Sequence, residues 1–401
     1  MSKSQHNTLN DVCEFIVDCL HKTATFQDNG YPMIRTPNIG KGRLLLDGVY
    51  RVSEDAYQVW TQRAVPEPGD LILAREAPAG NVAVVKEGER VCLGQRTVHL
   101  RPNLKKVDPD YLCYLLLSPH YQGKLLAGET GATAKHVNMK DIRRLSFERL
   151  PHIEVQSRIG GILSAYDDLI ENNRRRMDLL EESARLLYQE WFVRLRFPGH
   201  EHVRITKGMP EGWERKSTTE VIDINPRTKL SDTDEHTWVE MGDLSANSMV
   251  VQQYIQREGR SGSKFMNGDT LFARITPCLE NGKTAYVNFL AEGEVGRGST
   301  EFIVLRSKSL TPEFVYCLAR TYAFRENAIK SMVGSSGRQR VQESCFEKFL
   351  VVVPPRTLLE HFTYAAEPTF RQIMILHNQN QKVRTARDLL LPRLMCGEVA
   401  V

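Results

Sequence analysis

The sequence has no close pair of cysteines, no long apolar run and no strong excess of charge. Its eight cysteines are scattered. None stands in a C-x-x-C pair, which excludes a zinc knuckle and a thioredoxin-like redox motif. No stretch approaches the roughly 18 apolar residues of a membrane span, and residues 1–28 contain no apolar run of the signal-peptide kind. We therefore expect a cytoplasmic protein with reduced cysteines and no membrane partner.

Charge alone does not select a partner for this chain. The formal net charge is +4 over 401 residues. A DNA-binding protein with this balance needs its basic residues concentrated on one face, or a basic partner. With 41% apolar and 25% charged residues, the composition is that of an ordinary globular protein. The length allows two domains.

Motifs for catalysis on nucleic acids are also missing. Val353-Pro354-Pro355-Arg356 has the prolines of a base-methyltransferase loop, but no polar residue precedes them and no aromatic residue follows. Gly282-Lys283-Thr284 resembles the end of a phosphate-binding loop, yet Pro277 stands where the upstream glycine is required. His200-x-His202 has no further ligands at metal spacing. We expect a non-catalytic chain without a metal site.

The sequence does contain a regular apolar repeat near its middle. After Leu150-Pro151 and before Phe197-Pro198-Gly199, nine positions recur at alternating intervals of three and four, which is the signature of a coiled coil. They are Leu163, Tyr166, Ile170, Asn173, Met177, Leu180, Ala184, Leu187 and Trp191. A weaker seam near the C-terminus comprises Ile373, Leu376, Asn380, Val383, Arg387, Leu390 and Leu394.

Proline and asparagine refine this picture of two long helices. Pro368 either starts or kinks the second helix. Asn173 and Asn380 each stand at the centre of a seam. A polar residue at such a position usually fixes register and partner at some cost in stability.

The segments outside the two helices are repeated. Residues 69–75 match 268–274, residues 80–85 match 282–287, and residues 128–131 match 334–337. Each unit has short strand-like runs, then a helix, a glycine-basic loop, a proline and a long helix. We therefore predict an α+β fold with two similar mixed α/β domains, each followed by a long helix. The boundaries are 1–150 for the first domain, 151–199 for its helix, 200–355 for a linker and the second domain, and 356–401 for the second helix.

Two long helices, each following one domain, can pack antiparallel as a coiled coil. The two domains are then related by a pseudo-twofold axis. DNA-binding proteins use twofold symmetry to place two half-sites at a fixed separation. Here one chain would supply both halves, and the two half-sites need not match.

Several motifs resemble the specificity (S) subunits of type I restriction-modification systems. Residues 172–177 (NNRRRM), 181–192 (EESARLLYQEWF) and 197–201 (FPGHE) are similar to the central conserved region of that family. The duplicated Gly-Asp-x-x-x-Ala-Arg motif and the proline before each long helix also fit. The resemblance covers essentially the whole chain.

The resemblance implies a function as a DNA-specificity subunit. Each target-recognition domain would read one half of a bipartite, asymmetric double-stranded DNA target. The coiled coil would set the spacing and dock two methyltransferase subunits, and restriction subunits would join the full complex. S-adenosylmethionine, ATP and Mg²⁺ would be bound by those partners, and no cofactor by this chain.

The glycine-basic loops are the first candidates for DNA contact. Arg and Lys can pair with guanine and Gln with adenine, although Arg and Lys can equally bind phosphates only. For the first loop, a mobile surface connection is the alternative interpretation. The candidates are Thr133, Lys135 and His136 in the first loop and Ser335, Arg338, Gln339 and Arg340 in the second.

Three further arginines complete the candidate set. Arg75 and Arg274 occupy the same motif position in both units, so each is either a phosphate clamp or a framework ion pair. Arg35 is a candidate whose counterpart is Glu240, and Glu can accept from cytosine. The run 174–176 is more typical of a solvated helix face.

Two other functions remain open. A single-chain restriction-modification enzyme would need the catalytic motifs that are missing. A coiled-coil scaffold that binds only proteins would not need the duplicated basic loops, and a gel-shift assay with the methyltransferase partner separates it from a DNA-specificity subunit.

Overall fold

The computed structural model describes residues 7–127, 136–229, 235–259, 261–335 and 337–401. The chain forms two compact units. Unit 1 comprises residues 1–171 and 381–401, and unit 2 comprises residues 172–380. Each unit therefore contains one mixed α/β domain together with part of each long helix.

The described residues of unit 1 form two main sheets and one short strand pair. The larger sheet has five strands, in the spatial order Cys13–Asp18, Thr97–Pro102, Leu71–Ala74, Val82–Val84 and Gly42–Arg43. The smaller sheet has the order Arg51–Val52, Tyr31–Ile34 and Cys92–Leu93, and Asn7–Thr8 pairs with Ser146–Phe147. The short helices of this domain are Leu9–Val12, Glu54–Trp60, Pro109–Leu117, Pro119–Leu126 and Met139–Arg144, with a 3₁₀ turn at Thr36–Asn38.

The strand Leu71–Ala74 shows why the larger sheet is apolar on both faces. All four of its residues are buried. Leu71 and Leu73 pack into the cluster that holds the helices, whereas Ile72 and Ala74 pack into the cluster that includes the smaller sheet. Side chains alternate between the faces of a strand, so a sheet covered on both sides requires a continuous apolar run.

Unit 2 repeats this arrangement. Its first sheet has the order Ile222–Ile224, Phe302–Ser307, Thr270–Ala273 and Thr284–Tyr286. Its second sheet has the order Ile255–Glu258, Glu235–Val239, Gly296–Gly298 and Ser263–Phe265. Shorter pairs join Ile205–Thr206 to Met209–Pro210 and Glu214–Ser217 to Leu350–Val353. The short helices are Thr218–Val221, Pro312–Ala319, Tyr322–Lys330 and Cys345–Lys348, with 3₁₀ turns at His200–His202 and Met241–Asp243.

In unit 2 the strand Phe302–Ser307 is likewise packed on both of its faces. Ile303 and Leu305 pack into the cluster with the helices, and Phe302 and Val304 pack into the cluster with the second sheet. The same alternation thus buries both faces of this sheet.

The two long helices are Ile153–Tyr188 and Arg356–Met395. The first ends in a single π-helical turn, Gln189–Val193. The second begins directly after Pro355, so Pro368 lies inside it and does not start it. Helices of these lengths fit the mixed α+β class predicted from the sequence.

An aromatic cluster lies where the first long helix ends in unit 2. Phe192 contacts the rings of Tyr188, Trp213, Phe314 and Phe362, with centroid separations between 4.9 and 6.1 Å. All five side chains are buried. Edge-to-face contacts of this kind add to the burial of large apolar surfaces.

Two elements that the repeat predicts for the first unit are confirmed. Its short strand-like runs are the strands Leu71–Ala74, Val82–Val84 and Thr97–Pro102. The helix predicted after them is divided at Ser118, which is the C-cap of one helix and the N-cap of the next. Among the described helices, none is long and apolar enough to cross a membrane.

Candidate nucleic-acid interface

The Gly-Asp motif of unit 1 forms a tight turn with a buried ion pair. Gly69 has φ +92°, a left-handed conformation that favours glycine. The next residue, Asp70, accepts two hydrogen bonds from Arg101 at 2.9 and 2.8 Å, and His99 Nε2 lies 2.6 Å from its Oδ2. Burial acts to raise the pKa of Asp70, but the bonds from Arg101 and His99 outweigh it and leave that pKa lowered.

Unit 2 contains the same turn with one partner fewer. Gly268 has φ +90°, and Asp269 accepts two bonds from Arg306, each 2.7 Å long. Val304 takes the strand position that His99 has in unit 1. Burial therefore raises the pKa of Asp269, and the Arg306 bonds offset this only in part. The Gly-Asp motif is thus a structural frame in both units.

Arg75, at the end of the Gly-Asp strand of unit 1, is a buried framework residue. Its Nη1 lies 2.7 Å from Asp18 Oδ2, and its Nε donates to Val137 O at 3.0 Å. Its Nη2 lies 2.7 Å from His136 Nε2, and His136 Nδ1 lies 2.7 Å from Glu76 Oε1. The geometry favours the framework ion pair over the phosphate clamp at Arg75. DNA contact by Arg75 or His136 stays a prediction.

Arg274 has a different environment in unit 2. Its backbone is anchored as that of Arg75 is, because Val341 N donates to Arg274 O at 2.9 Å. Its guanidinium, however, lies 3.8 Å from Glu343 Oε1 and is about a quarter exposed. Within the described part of the chain, its buried Nε has no hydrogen-bond partner. Arg274 is therefore held less tightly than Arg75.

The second glycine-basic loop is folded back against this strand. Arg340 forms isolated bridges with Ile275 and Val333, and its guanidinium binds Glu301 through Nε at 3.0 Å and Nη2 at 2.6 Å. Gln339 N donates to Thr276 Oγ1 at 3.0 Å, and its carbonyl accepts from Thr276 N. The backbone of this loop is therefore set by the sheet.

The side chains of this loop differ in their exposure. Ser335, Arg338 and Arg340 are exposed, and Gln339 is half-buried. The hydrogen bonds from Arg340 lower the pKa of Glu301. Arg340 thus reaches solvent with its charge already paired, whereas Arg338 and Ser335 offer exposed polar groups at the tip.

An exposed aromatic stack accompanies Arg35 in unit 1. Tyr50 stacks on Phe26 with ring centroids 4.6 Å apart, and the Arg35 guanidinium lies 5.2 Å from the Tyr50 ring. The neighbouring Thr36 donates to Ala77 O at 3.2 Å, which links this turn to the end of the Gly-Asp strand. Arg35 and Arg75 are therefore on connected segments.

The counterpart in unit 2 carries the opposite charge at the same turn. Glu240 accepts from Trp238 Nε1 at 2.6 Å and lies 3.4 Å from Arg257 Nη1. The Arg257 guanidinium lies 4.4 Å from the Trp238 ring. Equivalent positions of one framework thus present different chemistry in the two units.

Two sequence candidates, Thr133 and Lys135, lie outside the described residues. Residues that the sequence patterns did not single out include Arg96, Arg227 and Lys264. Arg96 pairs with Glu76 at 2.9 Å, and Lys264 donates to Thr228 O at 3.3 Å. None of the three belongs to a repeated basic motif, so no local signal marks it.

The long helices carry buried charge where they meet the domain of unit 1. Asp167 is 5% exposed and accepts from Tyr114 Oη at 2.5 Å and from Arg387. Burial raises the pKa of Tyr114, and the Asp167 carboxylate adds to this effect. Asp168, next along the helix, pairs with Arg43.

A similar contact occurs in unit 2. Glu181 is 3% exposed, accepts from Tyr316 Oη at 2.5 Å and from Met249 N at 2.7 Å, and lies 3.8 Å from Arg320 Nη2. In both units a carboxylate of the first long helix therefore binds a tyrosine of the domain.

The predicted seam positions are buried or half-buried. Asn173 Nδ2 donates to Asn380 Oδ1 at 3.0 Å and to Gln379 Oε1 at 3.2 Å. None of the seam side chains is exposed. They are Leu163, Tyr166, Ile170, Asn173, Met177, Leu180, Ala184, Leu187, Trp191, Ile373, Leu376, Asn380, Val383 and Leu390.

Comparisons with known proteins agree with the resemblance noted in the sequence. A family model described as the type I restriction modification DNA specificity domain matches residues 1–182. The MjaIX specificity subunit of Methanocaldococcus jannaschii is 24% identical over 378 residues, which cover 88% of this chain and 83% of that protein. The EcoEI specificity subunit of Escherichia coli is 31% identical over 188 residues, 45% of this chain and 31% of that protein.

A solved structure shares the fold. The crystal structure of the type I restriction-modification S subunit from M. genitalium has a TM-score of 0.57 with this chain at 13% identity. The match covers 98% of this chain and 97% of that one. The likeness therefore extends over both units.

Proposed function

This chain belongs to the family of type I restriction-modification specificity subunits, and we propose that it reads a bipartite, asymmetric DNA target with its two domains. As a specificity subunit it is non-catalytic. S-adenosylmethionine, ATP and Mg²⁺ belong in this proposal to the methyltransferase and restriction subunits. Each domain contacts one half of double-stranded target DNA, and the two long helices set the gap.

The observation that carries the proposal is one framework with two sets of side chains. Both units hold the same Gly-Asp turn and the same buried Asp–Arg pair. At equivalent positions near this frame, Arg35 stands against Glu240 and His136 against Arg340. A shared backbone frame that carries different exposed side chains suits two domains that recognise different DNA sequences.

The helices support a role as a spacer. Within unit 2, Asn173 contacts Asn380 and Tyr188 contacts Phe362. Residue numbers therefore rise along the first helix as they fall along the second. Within unit 1, Asp167 contacts Arg387. These contacts support an antiparallel coil, and a coil of fixed length would hold two half-sites at a fixed separation.

The helices also support docking of two methyltransferase subunits. The first long helix exposes apolar side chains of Ile162, Leu169, Leu179 and Leu186, between 37% and 65% exposed. Apolar side chains spaced by seven or ten residues lie on one helix face. An exposed apolar stripe beside a completed seam fits an amphipathic helix of a partner.

The test is to exchange residues 1–150 for those of another family member in a complete restriction-modification system. Sequencing of methylated adenines should show that one half of the target changes while the other half and the gap persist. The purified chain alone serves as the control and should transfer no methyl group. If both halves of the target change, the two-domain assignment is wrong.

A further inference from the structure

The two units differ most sharply beside the arginine that they share. Asp223 lies opposite Arg306 in unit 2, as Phe15 lies opposite Arg101 in unit 1. Counting three residues on from each gives Asp18 in unit 1 and Pro226 in unit 2. The residue that neutralises Arg75 in unit 1 is therefore replaced by an uncharged one in unit 2.

This difference changes the shape of the site. In unit 1 the side chains of Arg75 and Asp18 are bonded at 2.7 Å, and the cavity beside Asp18 has a volume of only about 20 Å³. In unit 2 a groove of about 560 Å³ opens at the equivalent place. Arg274 lines this groove.

The lining of the groove is basic. Arg227, Lys264 and Arg274 contribute three cations, and Ser263 and Thr300 contribute hydroxyl groups, whereas no carboxylate is among the described lining residues. Glu343 Oε1 lies 3.8 Å from Arg274 Nη1 and accepts a hydrogen bond from the groove residue Asn225 at 2.8 Å. Glu301 is also close: the hydrogen bonds from Arg340 and then the charge of Arg274 lower its pKa. Two carboxylates therefore face four cations, Arg340 included, which leaves a net positive site.

We propose that this groove, formed by Arg227, Lys264 and Arg274, clamps a backbone phosphate of the DNA segment that unit 2 reads. Three cations that line one groove fit a phosphate oxyanion, and Lys and Arg bind phosphates without reading sequence. In unit 1 the equivalent arginine, Arg75, is a framework residue, because its charge is paired with Asp18. The inference rests on the proposed function.

The salt dependence of DNA binding tests the proposal. The affinity of the complex with methyltransferase subunits is measured at 50 to 200 mM NaCl for a labelled DNA duplex. The duplex carries the target sequence identified by sequencing of methylated adenines. Each lost phosphate contact reduces the slope of log K against log salt by about 0.9. Because the three cations share one phosphate in this proposal, the double variant Arg227→Gln/Lys264→Gln should reduce the loss of affinity over this range by up to about 3.5-fold, and each single variant by a smaller factor.

Matched variants separate the groove from general charge. Arg274→Gln should lower the slope like the two other groove variants. Lys330→Gln removes a cation that is 71% exposed and does not line the groove, and it should leave the slope unchanged. The methylated sequence should be the same for all of these complexes.

Other outcomes would overturn the proposal. Unchanged slopes for Arg227→Gln and Lys264→Gln would show that the groove holds no DNA phosphate. A changed base preference confined to one half-site would show that it contacts bases. Calorimetric titration with inorganic phosphate tests whether the groove binds a free anion instead. If the wild-type complex binds phosphate, Lys264→Gln does not, and the salt slope of DNA binding is unchanged, the groove is a site for that anion. If the wild-type complex shows no target preference, the proposed function fails first.

Discussion

Replacing Asp167 by Asn should destabilise unit 1 strongly, because it removes the charge from a buried contact. Asp167 accepts hydrogen bonds from Tyr114 and from Arg387. Asn can keep one acceptor but leaves the Arg387 guanidinium without its buried counter-ion. Burial and the neighbouring Arg387 lower the pKa of Arg384, which the Asp167 carboxylate opposes. The substitution therefore leaves two guanidinium groups facing each other.

The size of the effect follows from the burial of the pair. Breaking a buried ion pair by removing one partner costs about 3–5 kcal/mol. Arg387 keeps a second partner in Asp388 at 2.8 Å, but that carboxylate is exposed. We therefore expect the lower end, about 3 kcal/mol. For a unit of this size, that corresponds to a fall in melting temperature of about 6–12 °C.

A double-mutant cycle measured by scanning calorimetry checks this prediction. Asp167→Asn/Arg387→Met removes both charges, so its melting temperature should lie closer to wild type than that of Asp167→Asn, with a coupling energy of about 2 kcal/mol. Glu360→Gln is the control, because Glu360 forms an exposed i,i+4 pair with Arg356 at 2.8 Å that should contribute less than about 0.5 kcal/mol. Additive effects in the double variant, or a negligible effect of Asp167→Asn, would refute the reasoning.

Three further predictions concern the helices and the second basic loop. Inserting one heptad into each long helix, within 170–184 in the first, adds about 10 Å and should lengthen the gap in the methylated target by about three base pairs; an unchanged target with full activity would mean that the coil sets no distance. Asn173→Leu alone should cost about 0.5–1.5 kcal/mol, because it removes the buried hydrogen bond that Asn380 Oδ1 accepts from Asn173 Nδ2. Adding Asn380→Leu should recover that loss in thermal melts; a double variant that melts lower still would contradict the role of this pair in the seam. Arg340→Gln should raise the pKa of Glu301 toward its ordinary value, as followed by carboxyl ¹³C NMR, since Arg340 is the main cause of the lowered pKa. Because the pKa of Glu301 is lowered in the folded state, its pair with Arg340 stabilises the fold at pH values above the ordinary pKa of Glu. This stabilisation is lost as the pH falls through the lowered pKa. A pKa of Glu301 that does not change in Arg340→Gln would exclude the pairing.

Local patterns determined much of this architecture. Apolar spacing located both long helices, because a helix that buries one stripe must repeat every three or four residues. Self-similarity identified the Gly-Asp frame, whose turn requires the left-handed φ of Gly69 and Gly268. Strand-like runs predicted the central strands, because a sheet covered on both faces needs continuous apolar residues.

Other features depended on residues far apart in the chain. Asp167 and Arg387 are separated by 220 positions, and Glu181 and Tyr316 by 135. No local pattern marks such a pair, because the cost of burying a carboxylate is offset only when folding brings its partner within bonding distance.

The two shared arginines show this division most clearly. The sequence by itself determined that Arg75 and Arg274 occupy the same place at the end of the same strand. Only the tertiary structure decided that Arg75 is neutralised by Asp18, which lies 57 residues away, whereas Arg274 lines an open basic groove. A motif specifies where a side chain starts, but the charge and volume around its far end come from other segments of the fold.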